Sequence, residues 1–141
     1  MPLFEVRVGP EAFDVGTEHA RLSALGPDVG AVVCFTGQVR DEPLELEHYP
    51  GMAEREIETV LADARSRWPL LGAIIVHRHG HLKVGAPIVL VLTASSHRQA
   101  AFEAAQFLMD WLKTRAPFWK KAADGWVAAR DSDEQATARW N

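Results

Sequence analysis

Cationic and aromatic side chains are concentrated in one segment, from Lys113 to Lys121. It places four cations around the adjacent Phe118 and Trp119, and Pro117 fixes the path of the backbone. A lysine in such a partly desolvated, cation-rich place has a lowered pKa and can serve as an acid, a base or a nucleophile. The alternative is a solvated charged surface, in which Lys113 only complements the C-terminal dipole of a preceding helix.

A second pair of cation-forming side chains, His97 and Arg98, lies at the predicted opening of that helix. The free backbone N–H groups and the positive dipole end of a helix N-terminus favour an anion such as a phosphate. The pattern indicates an anion site, and the alternative is a pair of solvated first-turn residues.

Three histidines alternate at His77, His79 and His81. This spacing turns three imidazoles to one face of a strand, which suits zinc. Gly80 is expected to break the strand before the third histidine, and no acidic or cysteine ligand accompanies them. We therefore predict no metal and no cofactor. Cys34 lies among apolar neighbours and is expected to be a small buried hydrophobe.

The composition is that of one globular domain over residues 1–141, since 48% of the residues are apolar and 24% are charged. These proportions exclude a disordered or fibrous chain. No apolar run reaches the roughly 20 residues that a membrane span requires. The N-terminus lacks the order of a secretory signal and a single cysteine cannot build a disulfide framework, so we expect the cytoplasm.

The net charge of −4 argues against general nucleic-acid binding, but the charge is unevenly distributed. Residues 97–121 carry a net +3 and the remaining residues carry −7. An acidic protein with one basic segment more often binds a small anion or an acidic tail than a phosphate polymer.

Apolar, β-branched segments predict five strands and a further short strand near Trp126. The five segments are residues 4–8, 31–39, 44–49, 73–79 and 87–93. Segment 31–39 is apolar enough for a central strand, and we expect it to pair with 44–49 across a short connection.

Apolar residues at helical spacing predict two long amphipathic helices. One spans 57–68, and the other opens with a capping box at Ser96 and ends at Ala116. A short helix capped by Thr17 is expected near residues 19–25. Strand-rich segments interrupted by two long helices are typical of an α+β fold.

Eleven short motifs occur in a fixed order along this chain. They are residues 30–33, 35–37, 39–40, 46–52, 67–69, 77–78, 96–98, 101–104, 112–120, 126–127 and 129–130. With these motifs the chain resembles the large, catalytic subunits of molybdopterin synthase over almost its whole length.

The resemblance implies an α/β-hammerhead domain with antiparallel sheets and a sulfurtransferase activity. In that family, sulfur arrives as a thiocarboxylate on the C-terminal Gly-Gly of a small ubiquitin-like subunit. It is transferred to cyclic pyranopterin monophosphate and forms the dithiolene of molybdopterin in molybdenum cofactor biosynthesis. Two large subunits form a central homodimer, and one small subunit at each end completes a heterotetramer.

The resemblance also assigns site residues. Lys113 and Lys120 would be catalytic, by transferring protons and stabilising charge, and Arg130 would reach the neighbouring protomer's site. The substrate-binding positions are Gln38, Val39, Arg40, His97, Arg98, Lys113, Lys120, Lys121 and Arg130.

The chain departs from the family pattern in three places, of which one is that only His77 of the three alternating histidines matches the family. The connection between Arg40 and Leu44 is shorter than the family's usual loop, and Ala122 replaces a typically acidic residue. The alternative function, from a different class, is a noncatalytic module that captures an anionic ligand or a protein C-terminal tail.

Overall fold

The structure, a computed structural model, describes residues 2–49, 51–115, 118–122, 125–127 and 140, with 119–122 and 125–127 described by their backbone alone. Along these residues the elements are β1 (Leu3–Gly9), α1 (Val15–Ser23), β2 (Ala31–Gln38), β3 (Leu44–His48), α2 (Met52–Arg67), β4 (Leu70–Arg78), β5 (Gly80–Leu82), β6 (Pro87–Ser95), α3 (Arg98–Thr114), β7 (Phe118–Ala122) and β8 (Gly125–Val127). None of the described helices is long and apolar enough to cross a membrane.

The first sheet has the strand order β1-β4-β6-β2. Its β1–β4 pair is parallel and its other pairs are antiparallel. On one face, Ile75 and Val91 belong to a core shared with α2 and α3, and on the other face Ile74 and Leu92 pack with Leu22 of α1. Because both faces are covered, β4 and β6 read as nearly continuous apolar runs.

Helix α3 folds back along β6, so its two ends lie at opposite ends of the first sheet. Near the end of β6, the Thr93 hydroxyl donates to the carbonyl oxygen of Ala101 at 2.7 Å. Near the start of β6, Val89 shares a core cluster with Leu112 in the last turn of α3.

The second sheet has the strand order β5-β3-β7-β8 and is antiparallel throughout. His79 alone separates β4 from β5, so this residue connects the two sheets. A small core of Val39, Leu46 and Leu82 packs with Ile88 of β6 at the junction.

The predicted α+β class and both long helices are confirmed. The short terminal strand near Trp126 is confirmed as β8. The prediction of antiparallel sheets holds except at the parallel β1–β4 pair.

The predicted pairing of 31–39 with 44–49 is wrong. β2 pairs with β6 at the edge of the first sheet, and β3 pairs with β5 and β7 in the second. The register shifts between Gly37 and Gln38, and a turn follows in which Asp41 has a φ of 70° and the Glu42 N–H donates to the Arg40 carbonyl at 2.8 Å. This turn directs the chain out of the first sheet before β3 begins.

Both predicted helix caps are also wrong. Helix α1 follows Asp14, and Thr17 lies inside it with its hydroxyl donating to the Asp14 carboxylate. The N-cap of α3 is His97 and not Ser96, and no side chain caps its N–H groups.

Candidate active site

The N-terminus of α3 carries the first pair of predicted site residues. His97 is the N-cap residue and Arg98 is the first helical residue, and both side chains are exposed. The first turn contains no acidic residue. Two exposed cation-forming side chains therefore lie at the helix N-terminus, which is an arrangement that favours an anion.

The backbone in front of His97 is fixed by a close approach to Gly30. The Gly30 N–H donates to the Ser95 carbonyl at 3.0 Å. A Cβ atom at position 30 would stand only 2.1 Å from the carbonyl oxygen of Ser96. Only glycine allows this approach without displacing Ser96. No role was predicted for Gly30 from the sequence, although Gly30 begins the motif at residues 30–33.

Lys113 lies at the opposite end of α3, in its last turn, with an exposed side chain. The residues that follow β2 lie at this same end of the first sheet, because Gln38 pairs with Pro87 at the start of β6. Gln38 and Arg40 are both exposed. Lys113 and the end of β2 thus form one region of the surface.

Val39 differs from its two neighbours. Its side chain is buried in the junction core, its N–H donates to the Ala86 carbonyl at 3.0 Å, and its carbonyl accepts from the Gly85 N–H at 2.7 Å. In the isolated chain Val39 therefore anchors the turn that presents Gln38 and Arg40. The Arg40 guanidinium lies 3.9 Å from the Asp41 carboxylate in an exposed pair, which leaves it accessible to an anion.

Strand β7 carries Lys120 and Lys121, whose backbones pair with Leu46 and Glu45 of β3. Phe118 begins this strand and pairs with His48. The remaining predicted residue, Arg130, lies outside the described residues.

The three alternating histidines do not share one strand. His77 is buried in β4, and His81 lies on β5 with 86% of its side chain exposed, 3.5 Å from the Glu45 carboxylate. Strand β4 ends at Arg78 and Gly80, with a φ of 95°, begins β5, so the strand breaks before His81 as expected, although the break falls at His79. Within the described part of the chain no group of three or more His, Cys, Asp or Glu side chains could hold a metal.

Burial lowers the pKa of His77 to about 4, and the positive charge of Lys113 acts in the same direction. Burial also lowers the pKa of His79. Both rings are therefore neutral at physiological pH. The sequence interpretation assigned them no function, and their rings stack with those of His48 and Phe118.

The prediction that Cys34 is buried is wrong. β2 is an edge strand and the Cys34 side chain is exposed. Partial desolvation raises the pKa of the thiol, which is opposite to the activation that a nucleophilic cysteine needs.

One chain does not bring all the predicted residues together. Arg98 and Lys113 are fifteen positions apart on a continuous helix, which at 1.5 Å per residue separates them by about 22 Å along the axis. The described site residues therefore form two groups: His97 and Arg98 at one end of α3, and Lys113 with Gln38–Arg40 and β7 at the other.

Comparisons with known proteins cover nearly the whole chain. The family model described as "MoaE protein" matches residues 8–115. A molybdopterin synthase catalytic subunit from Mesorhizobium japonicum is 56% identical over 146 residues, covering 96% of this chain and 92% of the relative. The solved structure of a molybdopterin biosynthesis MoaE protein from Burkholderia ambifaria is 49% identical with a TM-score of 0.87, covering 97% of this chain and 98% of that one. The structure of molybdopterin synthase from Staphylococcus aureus is 29% identical with a TM-score of 0.75, covering 89% of this chain and 91% of that one.

Proposed function

The chain belongs to the MoaE protein family, and on this premise we propose that it is the catalytic, sulfur-transferring subunit of a molybdopterin synthase. It takes sulfur from a thiocarboxylate and delivers it to cyclic pyranopterin monophosphate, and two such transfers convert this substrate into molybdopterin by forming its dithiolene group. The likeness to proteins named catalytic subunits confirms the resemblance drawn from the motifs and favours an enzyme over a noncatalytic module. The observation that carries the proposal is this family likeness together with the clustering of Arg40, Lys113 and β7 at one end of the first sheet.

The Lys113 end is proposed as the reacting half of the site. The thiocarboxylate sulfur forms a bond to a side-chain carbon of the pterin and displaces an oxygen substituent, which takes up a proton as it leaves. Water then cleaves the acyl carbon–sulfur bond of the resulting thioester, which leaves the sulfur on the pterin and a C-terminal carboxylate on the carrier. Both steps develop negative charge on oxygen and need proton transfer, which Lys113 and Lys120 are proposed to provide. Gln38, Arg40 and Lys121 bind the substrate around them, with Val39 holding the turn.

The His97–Arg98 end is proposed to bind the phosphate of a substrate held by a neighbouring protomer. A separation of about 22 Å along α3 is too long for both groups of one chain to contact the same small pterin. A two-fold dimer solves this, because the α3 N-terminus of one chain can lie beside the Lys113 end of the other. Arg130 is proposed to cross the same interface.

The proposed assembly is a homodimer of this chain with one small ubiquitin-like sulfur-carrier subunit at each end. The carrier's C-terminal Gly-Gly thiocarboxylate would reach the Lys113 end. We place the assembly in the cytoplasm, where an exposed thiol such as Cys34 stays reduced.

The test of the function is dithiolene formation from the thiocarboxylated carrier and pyranopterin. Lys113→Ala should lower the single-turnover rate by about 10²- to 10⁴-fold, with the fold and carrier binding retained. Arg115→Ala, which removes the other exposed cation at this end of α3, is the matched control and should keep wild-type turnover. A folded Lys113→Ala enzyme with wild-type turnover would remove this lysine from the mechanism.

The shared site is tested by mixing inactive chains. A heterodimer of Lys113→Ala and Arg98→Ala chains concentrates both lesions in one site and leaves the other intact. Activity should therefore return, towards about a quarter of the wild-type value, when equal amounts of the two variants are refolded together, because about half of the dimers are mixed and each of these has one intact site. No recovery, with heterodimers confirmed by mass spectrometry, would place both residues in the same chain's site. The same mixing with Arg130→Ala tests the role assigned to Arg130.

A further inference from the structure

Four rings from distant parts of the chain form one continuous stack, here called the histidine stack: His79, His48, Phe118 and His77. The ring centroids of His79 and His48 are 4.0 Å apart, those of His48 and Phe118 are 6.0 Å apart, and those of Phe118 and His77 are 3.7 Å apart. The angles between successive planes are 29°, 19° and 12°. Near-parallel rings at these distances attract one another and restrict each other's orientation.

The histidine stack connects the two sheets at the Lys113 end. His77 belongs to β4 of the first sheet, and His48 and Phe118 lie opposite each other on β3 and β7 of the second. His79 is the residue between β4 and β5, and its N–H donates to the Gly9 carbonyl at 3.2 Å. A displacement of Phe118 in β7 relative to His77 in β4 therefore disrupts the stack.

The stack lies next to the two elements that carry the proposed catalytic lysines: the end of α3, with Lys113, and β7, with Lys120. Phe118 is the first residue of β7 and lies two positions before Lys120. Phe118 also packs against the core cluster that contains Leu112, the neighbour of Lys113 in the last turn of α3. His77 is thus placed between the end of α3 and the beginning of β7.

The His77 ring is held in one orientation and one protonation state. Its Nδ1 lies 2.9 Å from the carbonyl oxygen of Arg78. A carbonyl only accepts, so Nδ1 carries a proton, and because burial keeps the ring neutral, Nε2 is unprotonated. The ring adds no positive charge beside Lys113, whereas a charged ring there would repel the ammonium group.

We propose that His77 is a positioning residue of the sulfur-transfer site, whose neutral, planar ring holds β7 and the end of α3 in register by stacking on Phe118. The inference rests on the proposed function for its catalytic consequence. The proposal predicts that position 77 requires a neutral planar ring, and that this ring does not need to be titratable. His77→Phe should therefore preserve the site, and His77→Leu, which is apolar but not planar, should not.

The experiment measures two quantities in the carrier complex: single-turnover dithiolene formation, and hydrogen exchange of the β7 amides. His77→Leu and Phe118→Leu should each lower the single-turnover rate about tenfold, as a displacement of a fraction of an ångström does. The double variant should lose no more than either single variant, because both break the same contact. His77→Phe should remain within about threefold of wild type.

The β7 amides should exchange about tenfold faster in the two leucine variants, with β4 and β6 unchanged. His81→Leu is the matched control, since His81 is an exposed histidine outside the stack, and it should change neither quantity. A general loss of stability would instead accelerate exchange throughout the first sheet. In that case His77→Phe would lose as much turnover as His77→Leu.

Wild-type turnover in His77→Leu, equal losses in His77→Phe and His77→Leu, or multiplicative losses in the double variant would each overturn the inference. If the wild-type complex forms no dithiolene, the proposed function fails and β7 exchange still decides the structural claim. Unchanged exchange in the leucine variants overturns that claim. If His77→Leu does not fold, Phe118→Leu supplies the same comparison.

Discussion

Adding one methyl group at Gly30 is expected to displace the N-terminus of α3, where we propose that the phosphate of the substrate binds. The new Cβ would stand 2.1 Å from the Ser96 carbonyl oxygen, whereas Cβ atoms in real structures keep at least 3.0 Å. The obstructing atom belongs to the backbone and cannot rotate away as a side chain would. Ser96 must therefore retreat by about 1 Å, and His97 and Arg98 follow directly after it; such a misplacement can cost up to about 100-fold in rate.

The assay compares kcat/KM for dithiolene formation in Gly30→Ala and Gly16→Ala. A Cβ at position 16 meets nothing within 4 Å, and alanine there favours helix α1 by up to about 1 kcal/mol. Gly16→Ala should therefore keep wild-type kcat/KM. Gly30→Ala should lose between about 10- and 100-fold, and overpacking should destabilise the fold by about 1–3 kcal/mol in urea unfolding.

Wild-type kcat/KM in folded Gly30→Ala would refute this reasoning, and Arg98→Ala locates the error. If Arg98→Ala is impaired and Gly30→Ala is not, the backbone absorbs the clash without moving the site. If neither variant is impaired, the N-terminus of α3 is not part of the active site.

Three further predictions follow from the described side chains. Exhaustive chelation should leave turnover unchanged, because the described residues offer no group of three potential ligands; one tightly bound zinc per chain, lost together with activity, would contradict this. Cys34→Ala should stay active, because partial desolvation raises the pKa of this exposed thiol and the sulfur is proposed to arrive on the carrier; a folded but inactive variant would implicate the thiol. Burial lowers the His77 pKa from 6.5 to about 4, so the unfolded chain binds the proton more tightly and the fold should lose up to about 3 kcal/mol as the pH falls from 6.5 to 4. His77→Leu should flatten this part of the urea-unfolding profile, and an unchanged profile would contradict the assignment.

The long helices and the buried strands could be predicted because their signals are local. α2 and α3 carry an apolar stripe at helical spacing, and β4 and β6 are apolar on both faces. Strand pairing is not a local property. Consecutive strands pair often, which made 31–39 and 44–49 natural partners. The partners of β3 instead come from residues 80–82 and 118–122, on a second sheet that no local pattern announces.

Burial on an edge strand also depends on neighbours in space. Cys34 has apolar neighbours in sequence, yet β2 pairs on one side only and the thiol faces outwards. The histidine stack was missed for a related reason. The spacing of the three histidines suggested metal ligation. The ring on which His77 stacks belongs to Phe118, which lies 41 positions further along the chain.

The division of the site into two groups, by contrast, could have been derived from the sequence. A continuous apolar stripe between Ser96 and Ala116 already predicts one helix, and a helix of that length holds Arg98 and Lys113 about 22 Å apart. A single small substrate that contacts both residues therefore requires a second chain, and helical spacing alone implies this.

In the proposed dimer, each α3 contributes its N-terminus to one active site and its Lys113 end to the other. The effect of a substitution therefore depends on which end of α3 it damages. Gly30→Ala damages the His97–Arg98 end, so its defect falls in the site that contains the partner's Lys113. A Gly30→Ala chain mixed with a Lys113→Ala chain places both defects in one site and should regain activity. The same chain mixed with Arg98→Ala damages both sites and should remain inactive. Equal behaviour of the two mixtures would contradict a site divided along α3, because only that division makes Gly30 complement Lys113 and not Arg98.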